Sequence, residues 1–90
     1  MAILEVQRKT LAGTSTAFEF GKKGVKFLVK NLSENDCYVN YEAITAENEG
    51  ASILIPKKTA QVVLSNENSG YSTDTLYIKG TGDVEAQVIL

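Results

Sequence analysis

Apolar and polar residues alternate along four stretches of the chain, which is the period-two pattern of β-strands that bury one face. The stretches are GVKFLVKN (24–31), CYVNYEA (37–43), AQVVLS (60–65) and TLYIKG (75–80). Many of their residues are β-branched or aromatic, as a pleated and half-buried surface favours. With shorter segments at 3–7 and 17–20, the pattern predicts about eight short strands.

The alternation also assigns side chains to faces. In the first, second and fourth stretches one set is the more apolar, and we expect that set to face the core. These residues are Val25, Phe27, Val29, Cys37, Val39, Tyr41, Ala43, Leu76 and Ile78. In the third stretch Ala60, Val62 and Leu64 lie on one face, and Gln61, Val63 and Ser65 lie on the other.

Short polar segments rich in Gly, Asn, Asp and Pro separate these stretches and are typical of turns. They lie at 21–24, 33–36, 47–50, 56–58 and 66–70. Strands recurring between such turns at roughly ten-residue spacing predict an all-β fold, an antiparallel β-sandwich of Ig-like or jelly-roll-like type. We expect one domain over residues 1–90, with a mobile loop at 11–17 and a helical turn as an alternative around 43–47.

The segment GTGD (80–83) could be a phosphate-binding loop or the corner of a hairpin. A phosphate loop needs amides that converge at the start of a helix, and the Walker pattern needs Gly-Lys followed by Ser or Thr. Neither GTGD nor GKKG (21–24) supplies that pattern. We therefore predict a hairpin with arms at 75–79 and 83–90, in which Gly82 takes the left-handed conformation.

Length and charge narrow the classes of partner. Ninety residues are close to the lower limit for unaided folding, so association with copies or with a larger assembly would supplement stability. The net charge of −2 gives no general attraction for nucleic acid or acidic membranes, and the basic pairs sit at turns. The first ten residues lack the order of a signal peptide, and no stretch approaches the ~20 apolar residues of a membrane span.

The residue types do not favour catalysis. The chain has no histidine, and its carboxylates lie mostly in predicted loops, so a general base is missing and we expect no enzyme activity. The single cysteine, Cys37, lies in a strand pattern where a buried thiol acts as a small apolar side chain. It cannot build a zinc site alone, and the acidic turns at 33–36 and 47–49 lack the ligand order of a calcium loop. We expect no cofactor, no metal and no small-molecule ligand.

Four residues are candidates for an interaction surface. Tyr38 and Tyr77 point away from the predicted core face, Leu28 is an apolar residue on the outward side of its strand, and Tyr71 lies in a loop. Tyrosine is favoured at interfaces because a rigid amphipathic ring buries much area at small entropic cost. The alternative is that a second layer covers the rings, or that a single exposed ring has no role.

The strings VKNLSENDCYVNYEA, ILIPKKTAQVV and LYIKGTGDVEAQVIL resemble small β-sandwich proteins that phages and prophages of Gram-positive bacteria encode among their virion structural genes. The resemblance covers roughly residues 25–90. It implies a virion-associated structural or accessory role, such as capsid decoration or head–tail joining, and implies no catalytic residue.

Two functions follow as expectations. The first is a non-enzymatic virion protein that docks to itself or to other virion proteins through edge strands, in the host cytoplasm during assembly and then in the virion. The alternative is a carbohydrate-binding or adhesion module on a sandwich scaffold, based on Tyr71 among Asn66, Asn68 and Ser69.

Overall fold

The computed structural model describes residues 6–24, 26–64 and 73–89, and the strands in these ranges form one antiparallel sheet. Its strands are β1 (Val6–Gly24), β2 (Lys26–Asn31), β3 (Cys37–Asn40), β4 (Ile53–Ile55), β5 (Ala60–Leu64) and β6 (Thr73–Ile89). The predicted all-β fold is confirmed. The sheet curls until it is nearly closed like a small barrel, whereas the sandwich class and the count of about eight strands stay predictions.

Strand β6 lies at the centre of this sheet. Strand β1 pairs along one of its edges, from Val6 opposite Gln87 to Gly24 opposite Thr73. On the other edge, β2 pairs with residues 84–89 and β3 pairs with residues 77–79. Strand β5 then pairs with β2, and β4 pairs with β3. We call 6–12, β2, β5 and 84–89 the first half of the sheet, and 15–24, β3, β4 and 73–79 the second half.

The two halves meet at a bend in the β1–β6 pair. On β1 the register shifts between Ala12 and Ser15, where Gly13 has φ +90°. On β6 the bend falls at Gly82, also with φ +90°. Glycine adopts this conformation without the steric penalty of a Cβ. Beyond β6 the same level is occupied by loop 32–36, between β2 and β3, and by turn 56–59, between β4 and β5.

Two predictions about this bend are wrong. Segment 80–83 is not a hairpin corner, because β6 runs through it as one strand and pairs with β1 on both sides of it. Segment 11–17 is not a loop, because it belongs to β1 and supplies that partner. The residues on both sides of segment 80–83 pair with β1, and they therefore do not pair with each other. The left-handed Gly82 is confirmed.

The core lies between the two halves and takes side chains from both. Its members are Leu11, Phe18, Phe20, Phe27, Val29, Cys37, Val39, Ile55, Val63, Leu76, Ile78, Val84, Ala86 and Val88. The rings of Phe20 and Phe27, one from each half, lie 5.5 Å apart between centroids. The predicted core faces of β2, β3 and β6 are confirmed wherever the structure describes the side chain, apart from Ala43, which is exposed.

Strand β5 has apolar residues on both faces, and the face that carries more of them, with Val62 and Leu64, points outward. Register places Val63 opposite the buried Phe27 and Val62 opposite the outward-facing Leu28. Val63 is therefore buried, whereas Val62 is 50% exposed and Leu64 is 37% exposed. Directly paired residues share a face of the sheet, so the pairing with β2 decides the orientation of β5.

Side chains close the gaps at the two edges of the curled sheet. Lys9 Nζ donates to the backbone oxygen of Ala17 at 2.7 Å, and Gln7 Nε2 donates to that of Glu19. Both bonds join the first half of β1 to its second half. At the other edge, Tyr41 Oη donates to the backbone oxygen of Leu64. These contacts satisfy carbonyls that an open strand edge would expose.

Helical structure in the described ranges is one short 3₁₀ turn, Glu49–Ala51, just after the segment where a helical turn was an alternative. No helix within those ranges is long and apolar enough to cross a membrane.

Candidate functional site

Loop 32–36 is held by the buried side chain of Asn31 at the end of β2. Asn31 Nδ2 donates to the backbone oxygens of Asn35 at 2.8 Å, Ile55 at 3.1 Å and Pro56 at 3.3 Å. Asn31 Oδ1 accepts from the amide of Ser33 at 3.0 Å and from its hydroxyl at 2.9 Å. A buried amide whose donors and acceptor are all used fixes a loop, and leaves no free group for a ligand.

This loop packs directly on the glycine bend of β6. A Cβ added to Gly82 would lie 2.5 Å from Ser33 Cβ, and one added to Gly80 would lie 2.9 Å from Cys37 Cβ. Asn35 Nδ2 also donates to Thr81 Oγ1 at 2.9 Å. The glycines of GTGD therefore allow two backbones to approach closely, and loop 32–36 covers the side on which they do so.

Cys37 is a core residue, as its place in the alternating pattern predicts. It is 1% exposed, and burial together with the nearby Asp36 carboxylate raises the pKa of its thiol to about 11. The thiol is therefore protonated at neutral pH and is a poor nucleophile.

Three charged side chains form a cluster across the outward side of the first half. Glu85 of β6 lies between Arg8 of β1 and Lys30 of β2, at 2.7 Å from Arg8 Nη2 and 3.3 Å from Lys30 Nζ. Its side chain is only 11% exposed. Hydrogen bonding from Arg8, and then the hydrogen bond and charge of Lys30, hold the pKa of Glu85 below its usual value, although burial acts in the opposite direction. The cluster joins β1, β2 and β6, three of the four strands that contribute to the first half.

Replacing Glu85 with glutamine should flatten the loss of stability in acid. A carboxyl whose pKa is lower in the folded state stabilises the protein above its unfolded pKa of about 4.3, and this contribution disappears as pH falls through its folded pKa. Urea midpoints measured between about pH 3 and pH 7 should therefore fall less steeply in E85Q than in the natural protein. Arg8→Gln should flatten the same limb, since it removes the largest cause of the lowered pKa. Equal slopes in all three proteins would contradict this role.

The structure separates the residues predicted to form one interaction surface. Leu28 faces outward from the first half, opposite Gln87, whereas Tyr38 faces outward from the second half, opposite Lys79. Tyr77 pairs with Ala17 on the second half as well. All three side chains are half-buried. Tyr71 lies outside the described residues.

Loop 41–52, between β3 and β4, lies over the outward side of the second half, where Tyr38 and Tyr77 are found. The amide of Ile44 donates to Ser15 Oγ at 2.9 Å, and Lys79 Nζ lies 3.5 Å from Glu49 Oε1. Ile44 is 5% exposed but does not belong to the core cluster. The loop thus buries an apolar side chain against the outside of the second half.

The outward side of the first half has no such cover in the described part of the chain. Leu28 has Val62 on one side and Gln87 on the other, and Val6 lies beyond Gln87. Leu64 and Ile89 flank Lys26 in the next row. We call this surface the Val62 face, defined by Val6, Leu28, Val62, Leu64 and Ile89.

Exposed apolar side chains concentrate here. The large apolar residues that are exposed within the described ranges are Val6, Leu32, Leu54, Val62 and Leu64. Three of them belong to the Val62 face, and Leu32 lies next to it, past the end of β2. Single exposed apolar residues are ordinary, whereas a contiguous group marks an interaction surface.

An open cleft of about 330 Å³ lies beside the Val62 face, lined by Lys30, Asn31, Leu32, Lys58, Thr59 and Ala60. Both lysines already have carboxylate partners, since Lys30 pairs with Glu85 and Lys58 lies 3.2 Å from Glu34. Lys58 Nζ also donates to the backbone oxygen of Leu32 at 3.0 Å. These contacts favour a solvated surface cleft over an anion site.

Among residues 6–24, 26–64 and 73–89, no group of three or more His, Cys, Asp or Glu side chains is arranged to hold a metal ion. In the acidic turn at 47–49, Asn48 Oδ1 accepts from the amide of Thr45 at 2.7 Å and Asn48 Nδ2 donates to the oxygen of Ala43 at 3.0 Å. The Asn48 side chain therefore stabilises the conformation of loop 41–52.

Sequence reasoning identified Leu28 but missed Val6, Val62 and Leu64. Strand β5 contains two adjacent valines, so both of its faces look apolar and alternation alone does not choose between them. The choice depends on the register with β2. The missed signal was that Lys26 and Lys30 mark the outward face of β2, which is then the face opposite Ala60, Val62 and Leu64.

No family model matches the chain, and no curated protein or solved structure shows significant similarity to it.

Proposed function

We propose that this chain is a non-enzymatic accessory protein of a phage or prophage, which joins the virion by docking to other copies or to other virion proteins. Capsid decoration and head–tail joining are the two roles that suit it. The host cytoplasm during assembly, and then the virion, would be its locations. We further propose that the two halves of the sheet are the layers of a β-sandwich of the Ig-like or jelly-roll-like type.

The bare Val62 face is the observation that carries this proposal. Val6, Val62 and Leu64 are exposed on one side of the sheet of this 90-residue protein. A partner that buried these side chains would remove apolar area from water, which favours binding. Glu85, the most buried of the described carboxylates, is held in an ion-pair cluster, and the Cys37 thiol is buried in the core, which suits a protein that acts by docking. The resemblance of residues 25–90 to small virion proteins adds the context.

The carbohydrate-binding alternative rests on Tyr71, Asn66, Asn68 and Ser69, all of which lie outside the described residues. No contact in the described part of the chain favours it over docking.

Quantitative mass spectrometry of phage particles, purified from the strain that carries the gene, tests the proposal. Many copies per particle would support a decoration role, and a few copies would support a connector or tail role. If the chain is abundant in the lysate but absent from purified particles, the virion role is wrong.

A further inference from the structure

Loop 41–52 covers the outward side of the second half of the sheet but not that of the first half. The two outward sides also differ in charge. On the side of the Val62 face, Lys26 forms no ion pair with any described residue, and the Arg8–Glu85–Lys30 cluster carries one excess positive charge. Asp83, which faces the same side opposite Thr10, offsets one of these two charges, so this side keeps a net positive charge. On the opposite side, loop 41–52 carries Glu42, Glu47 and Glu49, of which Glu49 alone has a cationic partner among the described residues. One side is therefore basic and apolar, and the other is acidic.

The acidic side also offers an apolar contact point. Leu54 lies directly opposite Tyr38 on the second half and is 46% exposed. Exposed alanines of loop 41–52, Ala43 and Ala46, lie on the same side of the sheet. This side could thus receive the Val62 face through both charge and apolar area.

We propose that the Val62 face of one copy docks on the acidic side of a second copy, in a head-to-tail contact. This inference rests on the proposed docking function and names the partner surface. A two-fold contact between two Val62 faces would place two surfaces of the same net positive charge against each other, and like charges across an interface oppose binding. The head-to-tail arrangement places opposite charges together instead.

The size of the molecule suits such a contact. It measures 34 × 27 × 18 Å along its principal axes, and the two sides face away from a common core. A broad side is comparable in area to the roughly 800 Å² per partner that a standard interface buries. Because a head-to-tail contact uses two different surfaces, it repeats from copy to copy and produces a ring or a filament.

Sedimentation velocity of the purified full chain over a range of concentrations tests the contact. The natural protein should associate beyond the dimer, and added salt should weaken the association. Val62→Glu should weaken it by roughly tenfold or more, as expected for a central apolar contact of an interface. Lys26→Glu, which changes an exposed residue of the same face, should act in the same direction. Gln61→Glu is the matched control, because it adds the same charge at the next position of β5 but on the other face, and it should associate like the natural protein.

Mixing variants distinguishes a head-to-tail contact from a two-fold one. At a concentration where the natural protein associates but a contact at least about tenfold weaker does not form, Glu42→Lys with Glu47→Lys should be monomeric alone, and so should Val62→Glu. An equal mixture should form dimers and stop there, because each variant retains one intact surface. If the Glu42/Glu47 variant still dimerises alone, the contact is two-fold and the proposal is wrong. If the natural protein is monomeric at every concentration yet present in particles, the proposal is wrong and another virion protein is the partner. Self-association of a chain absent from particles would overturn the virion role and leave the contact intact.

Discussion

Replacing Gly82 with alanine should destabilise the protein by about 2–4 kcal/mol, a large share of the total for a domain of this size. Two effects add at this position. The backbone has φ +90°, where a residue with a Cβ is strained, and the new Cβ would lie 2.5 Å from Ser33 Cβ. Urea denaturation followed by circular dichroism would measure the change.

Three other glycines separate these two effects. Gly13 has the same φ of +90°, but its nearest neighbour to an added Cβ is 4.0 Å away, so Gly13→Ala should show backbone strain alone. Gly80 has no positive φ, but its Cβ would lie 2.9 Å from Cys37 Cβ, so Gly80→Ala should show crowding alone. An alanine at Gly50 would meet nothing within 4 Å and should change stability by no more than about 0.5 kcal/mol.

The order of the four variants is the decisive result. We expect Gly82→Ala to cost the most, Gly13→Ala and Gly80→Ala to cost about 1–2 kcal/mol each, and Gly50→Ala to cost the least. If Gly82→Ala were as stable as Gly50→Ala, loop 32–36 would not pack on β6 as described. If Gly13→Ala matched Gly82→Ala, backbone strain alone would explain both.

The sequence predicted the features that depend on the residues of a single strand or turn. Alternation located β2, β3 and β5 and placed Phe27, Val39 and Ile78 in the core, because a side-chain period of two is a property of each strand by itself. The same pattern predicted the buried Cys37. The positive φ of Gly82 also followed from local chemistry.

The errors concern relations between distant segments. Whether 80–83 is a hairpin or a bend depends on β1, which lies more than fifty residues earlier in the chain and pairs with both arms. The outward orientation of Val62, which alternation left undecided, depends in the same way on its register with Leu28. Each relation joins segments that are distant in the sequence, so the alternation and turn chemistry of one segment could not decide it.

The candidate site also combines local features that the sequence predicted with long-range relations that it did not. Sequence reasoning chose Leu28, Tyr38 and Tyr77 because each points away from the predicted core face of its own strand. It could not show that Tyr38 and Leu28 pair with residues eight positions apart on β6, which is about 26 Å along an extended strand. Nor could it show that loop 41–52 covers one outward side, while no described segment covers the other. A single predicted surface therefore becomes two surfaces of opposite character.

The separation of the two outward surfaces connects the glycine bend to the proposed function. The glycine bend turns the outward sides of the two halves away from each other, and loop 41–52 adds acidic groups to only one of them. Any change that loosens the bend would alter the relative orientation of the two sides. Docking that depends on both sides should therefore be sensitive to the contacts that hold loop 32–36 in place.

Replacing Asn31 with alanine should cost about 3 kcal/mol, because it removes the side chain that holds loop 32–36 and leaves buried partners such as the oxygen of Ile55 without their bonds. Hydrogen exchange should show the amide of Ser33 losing protection first, since Asn31 Oδ1 is its acceptor at 3.0 Å. Asn35→Ala is the matched control. It makes the same chemical change at an exposed residue whose amide bonds Thr81 at 2.9 Å, and should cost less than about 1 kcal/mol. Equal losses in the two variants would show that the buried amide has no special part in holding the bend.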